Sequence, residues 1–419
     1  MRISLTLAAF CFTALIPAAA QTYVLQPDRI FDGETYQTGV EVRVEDGVIT
    51  EVGRLISRDS AELIDLSGAT LTPGLIDGHS HVLLHPYDEV SWNDQVLKES
   101  TAERSIRAAN HLEATLRAGF TTLRDLGSEG AGYADVGVRQ ALEKRVIDGP
   151  RLLVAGPAIV ATGSYGPGGF HEGVAVPLGA NEADGHDGII REVRTQIGGG
   201  ADWIKVYADY RWGPNGEARP TFSLEELALI VETAASSGRP VVAHAATDEG
   251  MRRATLAGVK TIEHGDGGSL ETYQLMADRG VAICPTLGAV EAISRYRGWD
   301  GSEASVPERI KTKRIQMARI LEAGTPLCNG SDVGVFDHGD NAWEIGLMVD
   351  YGLTPLDAMR AATSGNADLL GLDRLGRIAP GMIADLAAFE GDVSTDLDAL
   401  EAPVLVMLDG VIKVHATDH

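Results

Sequence analysis

Leu71-Thr-Pro-Gly-Leu-Ile-Asp-Gly-His-Ser-His81 is the stretch that decides the fold, because an apolar, strand-like run ends there in two histidines. Alternate residues of an extended strand point to the same side, so the rings of His79 and His81 can reach one metal ion from a single strand end. Neutral imidazole is a frequent metal ligand in hydrolytic enzymes. The pair alone is a weak signal, and it gains significance from similar strand ends further along the chain.

Four more polar residues close short apolar runs. They are Lys205 in Ala201-Asp-Trp-Ile-Lys, His244 in Pro240-Val-Val-Ala-His, His264 in Thr261-Ile-Glu-His, and Asp332 in Asn329-Gly-Ser-Asp. Each residue type has an ordinary structural explanation: a lysine can pair at the surface, a histidine can be hydrogen-bonded in the core, and an aspartate can cap a turn. Their recurrence at strand ends favours one shared metal site instead.

Apolar runs recur eight times, and most are followed by a stretch with helical period. They cover residues 71–76, 120–126, 151–156, 201–207, 240–245, 261–264, 281–287 and 326–331. Parallel strands need helical crossovers, so this α/β pattern predicts a (β/α)8 (TIM) barrel over residues 73–375. Catalytic groups of such barrels lie at the C-terminal strand ends, where all six candidate residues fall.

Two helix starts support this pattern. Ser223-Leu-Glu-Glu226 has the spacing of a capping box, in which the serine and the glutamate each satisfy a free backbone N–H. Thr354-Pro355 places a capping residue before a proline at the first helical position. We therefore expect helices to begin at both places.

Composition sets the outer bounds. The chain has 419 residues, 44% hydrophobic residues and a formal net charge of −25. That length suits a barrel with a small second domain, and the apolar content supports a large buried core. The negative charge would repel a phosphate backbone, so we expect a small-molecule substrate and no nucleic-acid partner. The residues leave open whether the chain forms a homo-oligomer.

The first 20 residues have the pattern of a signal peptide. Arg2 precedes the apolar run 3–16, and Pro17-Ala-Ala-Ala20 offers a cleavage site after Ala20. The apolar run is too short for a good membrane span, and no later run reaches the length needed. We therefore expect an exported protein, periplasmic or secreted, that has no membrane span once the signal is removed.

The predicted export also determines which cysteines remain in the mature protein. Cys11 lies within the predicted signal, which leaves Cys284 and Cys328 in the mature chain. They fall at the ends of two neighbouring predicted strands, so a disulfide is geometrically feasible. Fixed strand geometry rarely suits a disulfide, and we therefore expect buried free thiols.

Together these motifs resemble the amidohydrolase superfamily in its two-metal form, over nearly the whole chain. Residues 201–205, 261–265 and 329–332 are similar to its imidazolonepropionase-like or Xaa-Pro dipeptidase-like branch. One departure is Ala246, where some prolidase-like relatives carry a tyrosine. Relatives pair the barrel with a small β-sandwich built from both termini. The resemblance implies such a composite sandwich from residues 21–72 and 376–419, whose alternating apolar residues are broken by Asp-Gly turns.

The resemblance also implies two divalent metal ions, which we expect to be zinc. In this assignment the first ion is held by His79, His81 and Asp332, the second by His244 and His264, and both are bridged by Lys205 as a carbamate formed with CO₂. A metal-bridging hydroxide then attacks an amide carbonyl, while Asp332 shuttles the proton to the leaving nitrogen. Deaminases and true imidazolonepropionases of the superfamily usually use one metal and lack the lysine.

Loops after the strands should form the substrate pocket. They offer His85, Tyr165, His171, Tyr207, Arg211, Asp266, Asp337 and His338, of which Tyr165, His171, Tyr207 and Arg211 are the substrate-binding candidates. A guanidinium can hold a carboxylate, so we expect a dipeptidase or a hydrolase of N-acyl amino acids. The alternatives are a cyclic amidase or lactonase of the same superfamily and a catalytically inactive metal-binding protein.

Overall fold

The computed structural model describes residues 21–171 and 173–416. The strands, in chain order, are β1 Thr22–Phe31, β2 Tyr36–Thr38, β3 Glu41–Glu45, β4 Val48–Gly53, β5 Glu62–Pro73, β6 Leu75–Ser80, β7 Phe120–Asp125, β8 Arg151–Val154, β9 Ile159–Val160, β10 Asn181–Glu182, β11 Ile204–Tyr207, β12 Asp209–Tyr210, β13 Arg219–Pro220, β14 Val241–Thr247, β15 Thr261–Gly267, β16 Ala282–Cys284, β17 Leu386–Glu390, β18 Pro403–Leu408 and β19 Val411–His415.

Helices occupy most of the connections between the central strands. They are α1 Trp92–Lys98, α2 Thr101–Arg117, α3 Ala134–Glu143, α4 Gly185–Gly199, α5 Leu224–Ala235, α6 Asp248–Ala257, α7 Leu270–Arg279, α8 Leu287–Tyr296, α9 Glu308–Ala323, α10 Ala342–Asp350, α11 Pro355–Arg360 and α12 Asn366–Leu370. Short 3₁₀ turns cover Glu303–Ser305 and Leu397–Glu401, and a π-helical turn covers Ala361–Gly365.

Both ends of the described chain contribute to one sheet. Its order is β19-β18-β17-β5-β1-β3-β4, and β2 pairs with β1. β5 runs parallel to β1 and antiparallel to β17, so a strand from the N-terminal part lies beside a strand from the C-terminal part. Leu25, Leu71, Leu386 and Met407 belong to one fully buried cluster on this sheet. The two distant segments therefore share a core of their own.

Parallel strands position the candidate site residues. β6, β7 and β8 form one sheet and β10-β9-β11-β14-β15-β16 a second, and every pairing within them is parallel. At one edge, Asp202 N donates to Val154 O over 2.8 Å. At the other edge, isolated parallel bridges join the segment 327–333 to β16 and to the end of β6. The C-terminal ends of these strands therefore meet on one side.

The main core lies between these strands and the helices that connect them. Ile204 and Ile262 from the strands, and Leu227 and Met276 from the helices, belong to one buried cluster. Burying such side chains is the dominant favourable contribution to folding, at about 1.5–3 kcal/mol each. The polar strand ends are held in place by this packing.

Two of the eight predicted strands differ from what was expected. The run 71–76 covers the end of β5 and the start of β6, which are separated at Gly74. A Cβ at Gly74 would lie 2.1 Å from Thr121 Oγ1, so glycine is required for this close approach. The run 326–331 is not a continuous strand, because it makes a single bridge, at Leu327. Just beyond it, Val333 makes another single bridge, and φ is 63° at Asp332, which an extended strand cannot adopt.

Both predicted helix starts are confirmed. Ser223 Oγ accepts from Glu226 N over 3.2 Å, and Glu226 Oε2 accepts from Ser223 N over 3.0 Å. Thr354 Oγ1 accepts from Asp357 N over 3.1 Å, with Pro355 as the first residue of α11. Each side-chain oxygen satisfies an N–H that the helix end leaves unpaired.

Cys284 and Cys328 form a disulfide, so the prediction of free thiols is wrong. Their Cα atoms lie 4.5 Å apart, within the range that a disulfide spans. The prediction assumed that both residues sit on regular strands. Cys328 instead follows the single bridge at Leu327, where the backbone is free of a regular ladder and approaches the end of β16.

No helix within the described residues has the length and apolar character needed to cross a membrane. The predicted signal peptide, residues 1–20, lies outside the described residues and stays a prediction.

Candidate metal centre and active site

The strand ends bring the six candidate residues to one cavity of about 800 Å³. Its lining includes His79, His81, Lys205, His244, His264 and Asp332. They come from the end of β6, from β11, β14 and β15, and from the segment 327–333. Chain segments far apart in sequence therefore contribute to a single site.

Three potential ligand atoms converge at its centre. His79 Nε2 and His81 Nε2 lie 3.4 and 3.3 Å from Asp332 Oδ1. His81 Nδ1 lies 3.1 Å from Gly127 O, and because a carbonyl only accepts, Nδ1 carries the proton. His79 Nδ1 donates in the same way to Glu263 Oε2 over 2.6 Å. Both Nε2 atoms are therefore unprotonated and lie close to a carboxylate oxygen.

An unprotonated ring nitrogen and a carboxylate oxygen repel one another unless a proton or a cation lies between them. His79 Nε2 is buried and has no hydrogen-bond partner among the described residues. Burial lowers the pKa of His79 and of His81, so protonation of these rings is disfavoured. Ligand atoms of His79, His264 and Asp332 lie within 4.8 Å of one another. These residues fit a divalent metal ion, with each proton-bearing Nδ1 held by an acceptor.

His264 and His244 form the other side of the centre. The His264 ring centroid lies 5.3 Å from that of His79 and 4.6 Å from that of His244. Thr286 Oγ1 lies 2.8 Å from His264 Nδ1 and donates its own hydrogen to the preceding carbonyl, so it accepts from the ring. Burial lowers the pKa of His244 to about 3. Both imidazoles are therefore neutral, which is the form that binds a metal.

Two of the potential ligands have left-handed backbone conformations. φ is 70° at His264 and 63° at Asp332. Such conformations cost about 1–3 kcal/mol each outside glycine, and they concentrate at functional sites. Lys313 Nζ and Gln316 Nε2 donate to His264 O over 2.9 and 2.6 Å, so α9 holds this turn in place.

Lys205 is a buried lysine at the centre of the site. Its residue is 1% exposed, and its Nζ lies 5.6 Å from the centroid of the Tyr207 ring. Among the described residues Nζ has neither a hydrogen bond nor an ion pair. Burial lowers the pKa of Lys205, against the charges of Glu263 and Asp332, which raise it. The neutral amine, which reacts with CO₂, is thereby favoured.

Asp332 is the carboxylate that lies near the Nε2 atoms of both His79 and His81. Its backbone N–H donates to His79 O over 2.8 Å, which fixes its position beside the strand. Burial raises the pKa of Asp332 to about 8, although Lys205 lowers it. Its position beside two unprotonated imidazoles allows this carboxyl group to hold a metal ion or to exchange a proton.

Glu263 and Arg124 support the site and were missed by the sequence reasoning. Glu263 Oε1 lies 3.2 Å from Arg124 Nη2, while its other oxygen holds His79. Arg124 Nε donates to Gly78 O over 2.6 Å, so the guanidinium also ties β7 to β6. Acceptors of this kind orient metal ligands. The available signal was a charged residue inside each of two apolar strands.

The rest of the cavity wall is aromatic and charged. Of the predicted substrate-binding residues, Tyr165, Tyr207 and Arg211 line the cavity, whereas His171 is exposed and is not part of its lining. Further lining residues that the sequence did not single out are Tyr87, Trp92, Glu129, Tyr210 and Arg309. They lie on helices, loops and the short strand β12, whose approach to the site depends on tertiary packing.

Asp266 also lines the cavity, but the remaining loop candidates do not. His85 is held between Glu89 and Glu99, each 2.9 Å from a ring nitrogen. His338 stacks on His111 with ring centroids 4.1 Å apart. These contacts explain both histidines without a substrate.

A family model described as the amidohydrolase family matches residues 70–413, which include every potential metal ligand. The chain belongs to the amidohydrolase family. This membership agrees with the α/β fold and with the His and Asp cluster at the strand ends.

This amidohydrolase is similar to enzymes that carry different activity names. Ochratoxinase from Aspergillus niger is 30% identical over 365 residues, covering 80% of this chain and 73% of that protein. A crystal structure of a Xaa-Pro dipeptidase with methionine bound in the active site is 29% identical, with a TM-score of 0.81, over 94% of this chain and 100% of that one. Imidazolonepropionase from Deinococcus deserti is 24% identical over 378 residues, covering 84% and 86%. The predicted superfamily and branch are confirmed, and they support hydrolysis of a carbon–nitrogen bond.

Proposed function

We propose that this amidohydrolase is a two-metal enzyme that hydrolyses the amide bond of a small substrate, such as a dipeptide or an N-acyl amino acid. The observation that carries the proposal is the convergence of His79 Nε2 and His81 Nε2 on Asp332 Oδ1, at 3.4 and 3.3 Å, on the wall of an open cavity. Two neutral imidazoles and a carboxylate oxygen at these distances form a ligand set that suits a divalent cation.

The first ion would be held by His79, His81 and Asp332, and the second by His244 and His264. Lys205, carboxylated by CO₂, would supply one oxygen to each ion. Within the described part of the chain, Lys205 is buried with no hydrogen bond or ion pair, which supports this role. A carbamate beside two cations is satisfied, whereas an ammonium is repelled. Zinc is the ion that this mixed nitrogen and oxygen ligand set favours.

Two divalent cations bound there would polarise an amide carbonyl and lower the pKa of a water molecule. Asp332 accepts the proton of the attacking water and returns it to the leaving nitrogen, so the amine departs uncharged. Glu263 holds the His79 ring through Nδ1, and Arg124 holds Glu263.

We also infer the finer architecture and the location. The hydrogen bonds that link both edges of the parallel sheets support closure into a (β/α)8 barrel over residues 73–375. The sheet shared by both termini supports a composite β-sandwich from residues 21–72 and 376–419. Removal of residues 1–20 and export to the periplasm or medium are tested by sequencing the mature N-terminus, which we expect to begin at Gln21.

The cavity also supports recognition of a substrate carboxylate. Arg211 and Arg309 both line it, and burial, together with the positive charge of Arg211, lowers the pKa of Arg309. A substrate carboxylate bound between them would offset this repulsion. We expect amidation of the substrate carboxylate to reduce kcat/KM about 10- to 100-fold, as loss of a charge-assisted hydrogen bond of about 1.5–3 kcal/mol requires. Matched free-acid and amide dipeptides measure this effect.

Arg211→Ala should remove most of that difference by slowing only the free acid. Arg107→Ala, which changes an exposed arginine on α2, is the matched control and should leave it intact. Equal rates for acid and amide in the unaltered enzyme would contradict carboxylate recognition and favour a cyclic amide or a lactone as substrate.

Metal stoichiometry tests the two-ion centre directly. Elemental analysis of the purified mature protein should find close to two divalent ions per chain, and His244→Ala should lower this to about one, because the second ion loses one of its two imidazoles. Full activity at one ion per chain would contradict the bridged centre.

A further inference from the structure

Glu129 is a buried carboxylate on the cavity wall that the proposed mechanism does not use. The residue is 3% exposed and lines the cavity. Its Oε2 accepts hydrogen bonds from Trp92 Nε1 over 2.9 Å and from Tyr165 OH over 2.8 Å. Within the described part of the chain, Oε1 accepts no hydrogen bond and the carboxylate has no ion pair. One oxygen is therefore held by neutral donors while the other remains available.

The backbone at Glu129 is strained and firmly held. Its φ is 47°, a left-handed conformation that is uncommon outside glycine. Arg104 Nη1 donates to Glu129 O over 2.7 Å, and Arg104 Nε donates to Leu83 O over 2.9 Å. Among the described residues, the nearby guanidinium hydrogen-bonds the main chain and not the carboxylate, although the two opposite charges attract one another. Strain of this kind is characteristic of functional positions.

Aromatic rings surround this carboxylate. The Trp92 and Tyr165 centroids are 5.3 Å apart, and Tyr165 lies 4.8 Å from both Tyr207 and Tyr210. All four rings line the same cavity. Aromatic faces attract organic ammonium groups through their quadrupoles, and a carboxylate among them adds direct charge pairing. This wall, comprising Glu129, Trp92, Tyr165, Tyr207 and Tyr210, suits a cationic amine.

The wall lies next to the metal centre. A Cβ at Gly127 would lie 3.0 Å from Glu129 Oε1 and 3.4 Å from His81 Cε1, so the carboxylate and the ligand ring are neighbours. In a dipeptide, one carbon separates the α-ammonium from the scissile carbonyl. A carbonyl at the centre therefore places the ammonium within reach of this wall, while Arg211 and Arg309 supply the opposite charge elsewhere in the cavity.

We propose that Glu129 and its aromatic neighbours bind the α-ammonium group of the substrate, so that the substrates are dipeptides with a free amino terminus and not N-acyl amino acids. This proposal rests on the proposed amide hydrolysis and narrows it. An N-acyl substrate has no charge at this position and would gain no charge-assisted hydrogen bond from Glu129.

The test compares leucyl-alanine with 4-methylpentanoyl-alanine, which is the same molecule without the amino group. With zinc-loaded enzyme we expect kcat/KM to favour leucyl-alanine about 10- to 100-fold, the range of a hydrogen bond to a charged group. Glu129→Gln should lose most of this preference by slowing leucyl-alanine alone. Glu143→Gln, on the exposed surface of α3, is the matched control and should keep it. A preference unchanged in Glu129→Gln, or equal losses on both substrates, would overturn the proposal.

Calorimetry separates this proposal from the proposed function. Leucine and 4-methylpentanoate carry the same carboxylate and differ in the amino group. We expect leucine to bind more tightly, and we expect Glu129→Gln to abolish this difference in affinity. Equal affinity of the two ligands would overturn ammonium recognition. If neither amide is hydrolysed, the proposed function fails and this binding comparison still decides the role of Glu129. If the N-acyl substrate is hydrolysed as fast as the dipeptide, amide hydrolysis stands and ammonium recognition fails.

Discussion

Lys205→Ala is expected to lose metal and to reduce activity by more than about 100-fold, because even a residue that only supports a metal ligand is worth about 10–100-fold. Alanine removes the side chain that is proposed to bridge the two ions. Elemental analysis and kcat/KM on a free-acid dipeptide measure the two losses. Lys144→Ala, which changes an exposed lysine after α3, should alter neither.

Chemical rescue distinguishes a carbamate from an ordinary charged lysine. Short-chain carboxylic acids added to Lys205→Ala should restore part of the metal content and activity, since each supplies two oxygens in place of the carbamate. Lys205→Arg should remain inactive, because a guanidinium does not form the carbamate and stays charged. Normal metal content and rate in Lys205→Arg would rule out the bridging role.

Asp332→Asn is expected to lower kcat about 10²–10⁴-fold, the contribution usual for a general base. The amide keeps the shape of the side chain but cannot accept the proton of the attacking water. Substrate binding should change much less than kcat, because the charged groups assigned to substrate recognition are elsewhere in the cavity. Steady-state kinetics on one dipeptide separate the two parameters.

Asp350→Asn, an exposed aspartate at the end of α10, is the matched control and should leave kcat unchanged. An Asp332→Asn enzyme with normal kcat would remove Asp332 from proton transfer, while a loss confined to metal content would assign it to metal binding alone.

The potential metal ligands could be predicted from the sequence because each ends an apolar run. His79 and His81 are two residues apart, and the alternation of an extended strand places them on one side. Lys205, His244 and His264 likewise follow short apolar runs, which form β11, β14 and β15. Parallel strands then bring these ends together, so residues far apart in sequence meet without any detailed knowledge of packing.

Features that depend on irregular backbone were predicted poorly. The segment with Cys328 and Asp332 reads as an apolar strand, but it makes single bridges and a left-handed turn. Because regular strand geometry was assumed there, free thiols were predicted for two cysteines that form a disulfide in the structure. A hydrophobic run indicates burial, and it does not specify φ and ψ.

By itself, the sequence determined the parallel α/β plan, the helix starts at Ser223 and Thr354 and the set of potential metal ligands, because periodicity and capping are local properties. Only the tertiary structure decided the hydrogen bond between Glu263 and His79, the disulfide and the position of Glu129 among aromatic rings. Each of these depends on side chains from elements distant in the chain. Their distances and protonation states arise from packing and burial, which no local pattern encodes.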